Sequence, residues 1–140
     1  MTSLAYPAVW TRLPTPAGDP EVALRAASGT AMSLLVRVTK LGLAKVTTRT
    51  LPIVRKLTDE LVASDPRSEQ LSAPVAVTVG GLPGYRYRYR FGNGADSGAH
   101  VHYFLFKGVQ MIQLVLQALP AERLPQVEPV FDRIVSTFRG

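Results

Sequence analysis

The sequence predicts an α+β fold in which one twisted antiparallel sheet of about six strands is flanked by helices. Three observations predict it: a run of alternating aromatic and basic residues, Val- and Leu-rich strand patterns separated by glycine turns, and two segments with apolar residues three and four apart. A chain of 140 residues with 46% apolar residues has the size and composition of one domain. We therefore expect a single domain over residues 1–140.

The alternating run over residues 81–91 is the most informative segment. In an extended strand its aromatic side chains point to one face and its basic side chains to the other. The aromatic set is Tyr85, Tyr87, Tyr89 and Phe91, and the basic set is Arg86, Arg88 and Arg90. The run predicts a sheet with an apolar face and a cationic face, and tyrosines packed under a helix.

The segments before this run alternate between strand and helix patterns. Residues 4–13, which contain Trp10, predict a short edge strand, and residues 21–27 and 32–39 predict a hairpin. Apolar residues at helical spacing over 46–62, with Pro52 in the first turn, predict an amphipathic helix. Residues 68–79 then predict another strand.

After the run, a glycine-rich segment over 92–98 predicts a hairpin loop rather than a phosphate-binding loop, because a strand follows it and not a helix. Residues 99–107 and 109–119 form the longest β pattern and are expected at the sheet centre. A final helix is expected from about Leu124 to Phe138. Its Pro125 and Pro129 are tolerable if both fall in the first turn.

Composition narrows the classes of function. Sixteen basic and 10 acidic residues give a net charge of +6, which favours anionic partners, although the basic residues are spread along the chain. The absence of cysteine excludes disulfides, thiolate zinc sites and cysteine nucleophiles. No signal-peptide pattern and no membrane-length apolar run are evident, so we expect a cytoplasmic protein without an integral membrane segment. The alternative is an exported protein whose export segment has been removed.

Two histidines form the clearest candidate site. His100 and His102 lie two residues apart in a predicted strand and therefore share a face, about 6–7 Å apart. A metal site would need a third ligand, and Asp96, Glu128 and Asp132 are either in a loop or remote in sequence. We therefore expect no metal and no cofactor, and hydrogen-bonded histidines that titrate near neutral pH.

Nucleic-acid binding and catalysis are both disfavoured. Interleaved aromatic and basic residues suit stacking and phosphate contacts, but strict alternation puts them on opposite faces of the strand. The candidate nucleophiles Ser97, Ser136 and Thr137 lack the sequence context of a nucleophile elbow or an acyl-transfer site. We expect no nucleic-acid partner and no enzymatic activity.

Four segments together carry a family resemblance: Tyr-Pro-Ala-Val-Trp at 6–10, Val-Gly-Gly-Leu-Pro-Gly at 79–84, His-Tyr-Phe-Leu-Phe at 102–106 and Phe-Asp-Arg-Ile-Val-Ser-Thr-Phe at 131–138. With them, the chain resembles the PsbP-like superfamily, which includes the Mog-type Ran-binding import factor and bacterial chaperones and lipoproteins. The nearest relatives are expected among uncharacterised bacterial members. The resemblance implies a binding or assembly module rather than an enzyme, and it transfers no functional residue.

The favoured hypothesis is a non-catalytic protein-binding module, of adaptor or chaperone type, that uses a sheet face left free by the helices. It rests on residues 109–116, where Ile112 and Leu114 share one face while Met111 and Val115 occupy the other, so that both faces need a cover. That cover could be a second helix, a second subunit in a homodimer, or a protein partner. The candidate binding residues are Arg86, Arg88, Arg90, His100, His102 and Met111.

Two alternatives stay open. One is a carrier of a small apolar ligand, with a pocket between sheet and helix lined by Trp10, Tyr103, Phe104 and Met111. The other is an accessory subunit that stabilises a larger complex through its basic surface.

Overall fold

The structure is a computed structural model that describes residues 3–42, 45–93 and 96–140. In these ranges seven strands form one antiparallel sheet in the order β1-β2-β3-β7-β6-β5-β4. The strands are β1 (Thr11–Leu13), β2 (Val22–Ser28), β3 (Met32–Lys40), β4 (Glu69–Val79), β5 (Leu82–Phe91), β6 (Gly98–Lys107) and β7 (Gln110–Ala118). The helices are α1 (Arg55–Ala63) and α2 (Leu124–Ser136), each preceded by a short 3-10 helix, Leu51–Val54 and Ala121–Arg123. The α+β prediction is confirmed, with seven strands rather than about six.

The two most apolar strands, β6 and β7, pair with each other inside the sheet, as expected from their sequences. The side chains of β6 are buried on both faces over most of its length. Those of β7 are buried on the α2 face, while on the α1 face Gln113, Val115 and Gln117 are half-exposed. Only a central strand can bury both of its faces, which explains the nearly continuous apolar run of β6.

Helix α2 covers one face of the sheet. Its apolar side chains pack into a cluster with inward residues of β3, β6 and β7. That cluster includes Leu34, Val101, Leu105, Ile112, Leu114, Leu116, Leu124, Phe131, Ile134 and Phe138. The first-turn prediction is wrong for Pro129, which lies inside the helix. A proline has no amide proton to donate to the carbonyl one turn earlier in a helix. Pro125 and Pro129 are both exposed, so water can bond to the carbonyl groups that lack this partner.

Helix α1 packs on the opposite face. The 3-10 helix and α1 contribute Leu51, Val54 and Val62 to a second cluster that lies over β5, β6 and the start of β7. The helix is shorter than predicted because Val46 instead forms a β-bridge with Gly108. The prediction that one sheet face lacks a helix is wrong, since each face carries one.

The tyrosines of β5 hold α1 against the sheet. The Tyr87 hydroxyl lies 2.6 Å from the Thr58 hydroxyl and donates a hydrogen bond to Asp59. Burial, together with the bond to Asp59, raises the pKa of Tyr87 to about 12. Burial alone would raise the pKa of Asp59, but its bonds to Tyr87 and Arg55 lower it.

The amino-terminal segment departs from the predicted edge strand, of which only Thr11–Leu13 forms. Ser3 instead bridges Arg139, and the Ala5 amide donates to the Thr137 hydroxyl at 2.9 Å. A turn in which the Trp10 amide donates to the Pro7 carbonyl separates this segment from β1. The segment therefore secures the end of α2. No helix in the described ranges has the length and apolar character needed to cross a membrane.

Candidate functional site

The arginines of the alternating run lie on the α2 face, as their alternation with the tyrosines predicts. Arg88 makes a two-pronged ion pair with Glu128, with Nε–Oε2 and Nη2–Oε1 distances of 2.8 and 2.7 Å. Arg90 lies 3.5 Å from Glu122. Two of the three arginines are therefore engaged with α2 and the 3-10 helix before it, and they join the sheet to these elements.

Arg86 occupies a different environment. Its Nε atom is buried and has no hydrogen-bond partner among the described residues. Burial raises the pKa of Tyr103, and the Arg86 guanidinium beside it opposes that rise. Arg86 thus sits between sheet and helix rather than on an open surface.

The histidines lie on the α1 face, where β5, β6 and β7 form a polar group that we call the histidine cluster. It consists of Tyr89, His100, His102, Gln113 and Gln117. The Tyr89 hydroxyl lies 2.9 Å from Nδ1 of His100 and 2.9 Å from Nδ1 of His102. Each Nε2 atom lies 2.8 Å from a glutamine Oε1, that of Gln117 for His100 and of Gln113 for His102.

With both imidazoles neutral and in these orientations, the four ring nitrogens of the cluster cannot all make hydrogen bonds. Where the glutamine oxygens accept from both Nε2 atoms, both Nδ1 atoms must accept, yet the Tyr89 hydroxyl has one proton to donate. Either one imidazole carries a second proton, or one glutamine amide turns over and its histidine changes tautomer. The cluster is therefore a place where proton position and amide orientation are coupled.

Burial decides the protonation of these groups. It lowers the pKa of His102 to about 3, against a smaller opposing effect of the Gln113 bond. It lowers the pKa of His100 too, while the Gln117 bond and the nearby Asp65 carboxylate oppose the shift. The expectation of titration near neutral pH is wrong for His102, because the sheet and α1 remove its imidazole from water.

Part of the α1 face stays uncovered, because the 3-10 helix and α1 pack over β5, β6 and the start of β7 and not over β2 and β3. We call this region the open half. Its half-exposed side chains line a groove of about 200 Å³ and comprise Leu13, Arg25, Ser33, Leu35, Val115 and Gln117. His100 lines this groove and also a second one of about 310 Å³, beside Asp65 and Arg67 at the end of α1. His100 is thus the part of the histidine cluster that contacts both grooves.

The other predicted site residues are placed as follows. Met111 is buried in the α1 cluster and is 3% exposed. Trp10 and Tyr103 belong to the α2 cluster, whereas Phe104 and Met111 belong to the α1 cluster, so these four residues do not line one pocket. The arginines and histidines are on opposite faces. Their roles in binding remain predictions.

Metal binding finds no support in the described ranges, where no group of three or more His, Asp or Glu side chains could hold an ion. Ser97 accepts a hydrogen bond from the Ala121 amide at 3.0 Å and so holds the start of the second 3-10 helix.

Sequence reasoning missed Tyr89, Gln113 and Gln117 as partners of the histidines. The signal was present, since all three alternate onto the same face as His100 and His102. Which of them lie opposite one another depends on strand order and register, which the local pattern does not contain.

No protein-family model matches the chain, and no curated protein matches its sequence. Solved structures do match. CyanoP, the cyanobacterial PsbP of Synechocystis sp. PCC 6803, is 18% identical with a TM-score of 0.72, and the match covers 99% of this chain and 85% of that one. The chain has the PsbP-like fold. LpqN of Mycobacterium tuberculosis, described as involved in cell envelope biogenesis, is 15% identical with a TM-score of 0.73, covering 99% and 82%.

A Pseudomonas aeruginosa protein of unknown function, PA94, is 14% identical with a TM-score of 0.58, covering 98% of this chain and 82% of that one. At these identities the PsbP-like fold is shared while side chains are free to differ. The fold resemblance expected from the four sequence segments is confirmed. A shared fold does not imply a shared function, so the function of this chain depends on its own surfaces.

Proposed function

We propose that the chain is a non-catalytic binding module that receives a segment of a partner protein on its open half. The observation that supports this is the short reach of α1, which leaves Leu35 and Val115 half-exposed in a groove on a seven-stranded sheet. A rigid sheet face with uncovered apolar side chains suits recognition of a partner that covers them.

The residues of the groove define the chemistry of that partner. Leu35 and Val115 are opposite each other on β3 and β7, and Ser33 and Gln117 are opposite each other one row away. Arg25 is paired with Leu35 from the other side, and its Nη1 donates to the Pro14 carbonyl at 3.1 Å. The six residues of the open half include a cation and no carboxylate. They fit an apolar side chain flanked by polar or acidic groups.

We place this module in the cell envelope. LpqN, which has the same fold, is described as acting in cell envelope biogenesis. This likeness agrees with the exported alternative rather than with the expected cytoplasmic location. An accessory role within a larger envelope complex is compatible with the same surface.

The small-ligand carrier is the weaker proposal. Its four predicted lining residues are divided between the two faces of the sheet. The groove of the open half is about 200 Å³, below the roughly 300–1,000 Å³ of pockets that enclose small ligands. The larger grooves, about 310 Å³ beside Asp65 and about 450 Å³ between Arg88 and Leu124, are open depressions and not enclosed cavities.

Site-specific photo-crosslinking in the native host tests the proposed surface. A photoreactive amino acid at Leu35 or Val115 should yield one crosslinked partner, and the same amino acid at exposed Gln126 on α2 should not. Leu35→Glu should abolish capture from the Val115 position, and Gln126→Glu should leave it intact. Equal crosslinking from both faces, or capture that Leu35→Glu does not change, would contradict the proposal.

A further inference from the structure

One end of the sheet carries four exposed basic residues without an ion-pair partner among the described residues. They are Lys40, Lys45, Arg49 and Lys107, and we call this region the cationic end. The sequence contains no Asp or Glu between residues 22 and 58 or between residues 97 and 121. Acidic residues do lie beside many other basic side chains, as for Arg37, Arg67 and Arg88.

Strand pairing brings three of these residues together. Lys40 ends β3 and Lys107 ends β6, and both are paired with Gln110 of β7 between them. Their backbones are therefore two strand spacings apart, about 10 Å. The Val46 amide donates to the Gly108 carbonyl at 3.0 Å, which places Lys45 next to the β6–β7 turn.

Two exposed apolar side chains lie near the same end. Val109, in the β6–β7 turn, is 37% exposed, and its carbonyl accepts from the Leu41 amide at 2.8 Å. Ile53 is 77% exposed. It lies in the 3-10 helix whose Leu51 and Val54 share a cluster with Val46 and Met111. Exposed apolar side chains in the same region as unpaired cations are typical of a surface that enters a lipid headgroup layer.

We propose that the cationic end docks on an anionic membrane surface. Lysine side chains attract lipid phosphates at the surface, while Val109 and Ile53 enter the boundary between headgroups and acyl chains. No aromatic residue lies among 40–54 or 107–110 to stack on bases, which disfavours a nucleic-acid partner. This proposal goes beyond partner binding. It concerns a different surface and leaves the open half free.

Vesicle sedimentation with the whole chain tests it. The protein should bind phosphatidylcholine vesicles that contain about one third phosphatidylglycerol, and it should lose that binding at high salt. It should not bind vesicles of pure phosphatidylcholine. Lys40→Glu/Lys45→Glu/Lys107→Glu should lower the partition coefficient on the order of 30-fold or more. The matched control is Arg12→Glu/Arg123→Glu/Arg133→Glu, which changes the net charge equally at exposed basic residues outside the cationic end. This control should lower the partition coefficient only a few-fold. Circular dichroism checks folding, and the corresponding Lys→Gln triple variant replaces the first if that fails to fold.

The apolar contribution has its own pair of variants. Ile53→Ser/Val109→Ser should weaken binding to the anionic vesicles several-fold, whereas Val9→Ser, at a residue that is 86% exposed elsewhere, should not. Equal losses in the two charge-reversal variants would show a net-charge effect and overturn the proposal. So would equal binding to neutral vesicles, or tighter binding to a single-stranded oligonucleotide at the same salt concentration.

Discussion

The Tyr89 hydroxyl lies 2.9 Å from Nδ1 of His102, and both side chains are buried on the α1 face. Because the same hydroxyl also contacts His100, two imidazoles share one phenolic proton. Burial raises the pKa of Tyr89, so this proton stays on the phenol across ordinary pH. The arrangement links fold stability to the protonation of the histidines.

We predict that stability falls as the pH drops below 6.5, the ordinary pKa of histidine. Folding lowers the pKa of His102 from 6.5 to about 3, so between these values the unfolded chain binds a proton that the folded chain excludes. The free energy of unfolding should decrease by about 1.4 kcal/mol per pH unit from this residue, or ~2 kcal/mol by about pH 5. Urea unfolding at several pH values measures it.

His102→Gln is the control, because it keeps a polar side chain and removes the titrating group. Between pH 6.5 and pH 5, the unfolding free energy of His102→Gln should fall less than that of the wild type. The difference should be about the contribution of His102, ~2 kcal/mol. Asp59 and Asp65 have lowered pKa values, so their contribution is lost only as the pH falls below the ordinary carboxylate value of 3.8. Parallel pH curves for the wild type and His102→Gln would show that His102 carries no such linkage.

Replacing Tyr89 by Phe should destabilise the fold by about 1–3 kcal/mol, because both Nδ1 atoms lose their partner inside the structure. Tyr85→Phe is the matched control on the same strand and face. The Tyr85 hydroxyl makes no side-chain hydrogen bond in the part of the chain that the structure describes, so its loss should cost under ~0.5 kcal/mol. Equal unfolding free energies for the two variants would remove the argument for a shared phenolic proton.

A double-mutant cycle should find a coupling of about 1–2 kcal/mol between Arg88 and Glu128. The pair is two-pronged, and its side chains are only 28% and 23% exposed. Lys56 and Glu60 provide the comparison, at 4.0 Å with side chains 87% and 65% exposed. Their coupling should stay under ~0.5 kcal/mol. Equal couplings would mean that half-burial adds nothing to the first pair.

The ion pair between Arg88 and Glu128 also affects the interpretation of a charge-reversal variant in a binding experiment. From the sequence alone, Arg86, Arg88 and Arg90 form a cationic strand face, and reversing their charge would be a direct test for an anionic partner. In the fold, Arg88→Glu would face Glu128 and destabilise the contact between α2 and the sheet. Loss of partner binding in that variant would need a stability measurement beside it.

Period-two alternation made the faces of β5 and the central position of β6 and β7 predictable, because sheet geometry imposes that period on every strand. Turn residues likewise located the hairpins. Sequence alone did not show that α1 and α2 take opposite faces, since amphipathic spacing tells which side of a helix is buried and not against which face. The shared hydroxyl of the histidine cluster depends on three-strand register, which no local pattern contains.

Alanine substitutions at Gly80 and Gly29 measure how firmly the residues after α2 are held against the turn between β4 and β5. Both have a φ of +57°, so alanine at either should cost about 1 kcal/mol from backbone conformation. A Cβ at Gly29 would meet nothing within 4 Å, whereas at Gly80 it would lie 2.5 Å from the Phe138 carbonyl oxygen. Gly80→Ala must therefore displace the residues after α2, and we expect it to lower the free energy of unfolding by at least ~2 kcal/mol more than Gly29→Ala. Equal losses in urea unfolding would show that the end of α2 can shift freely, and that the hairpin between β4 and β5 does not hold it in place.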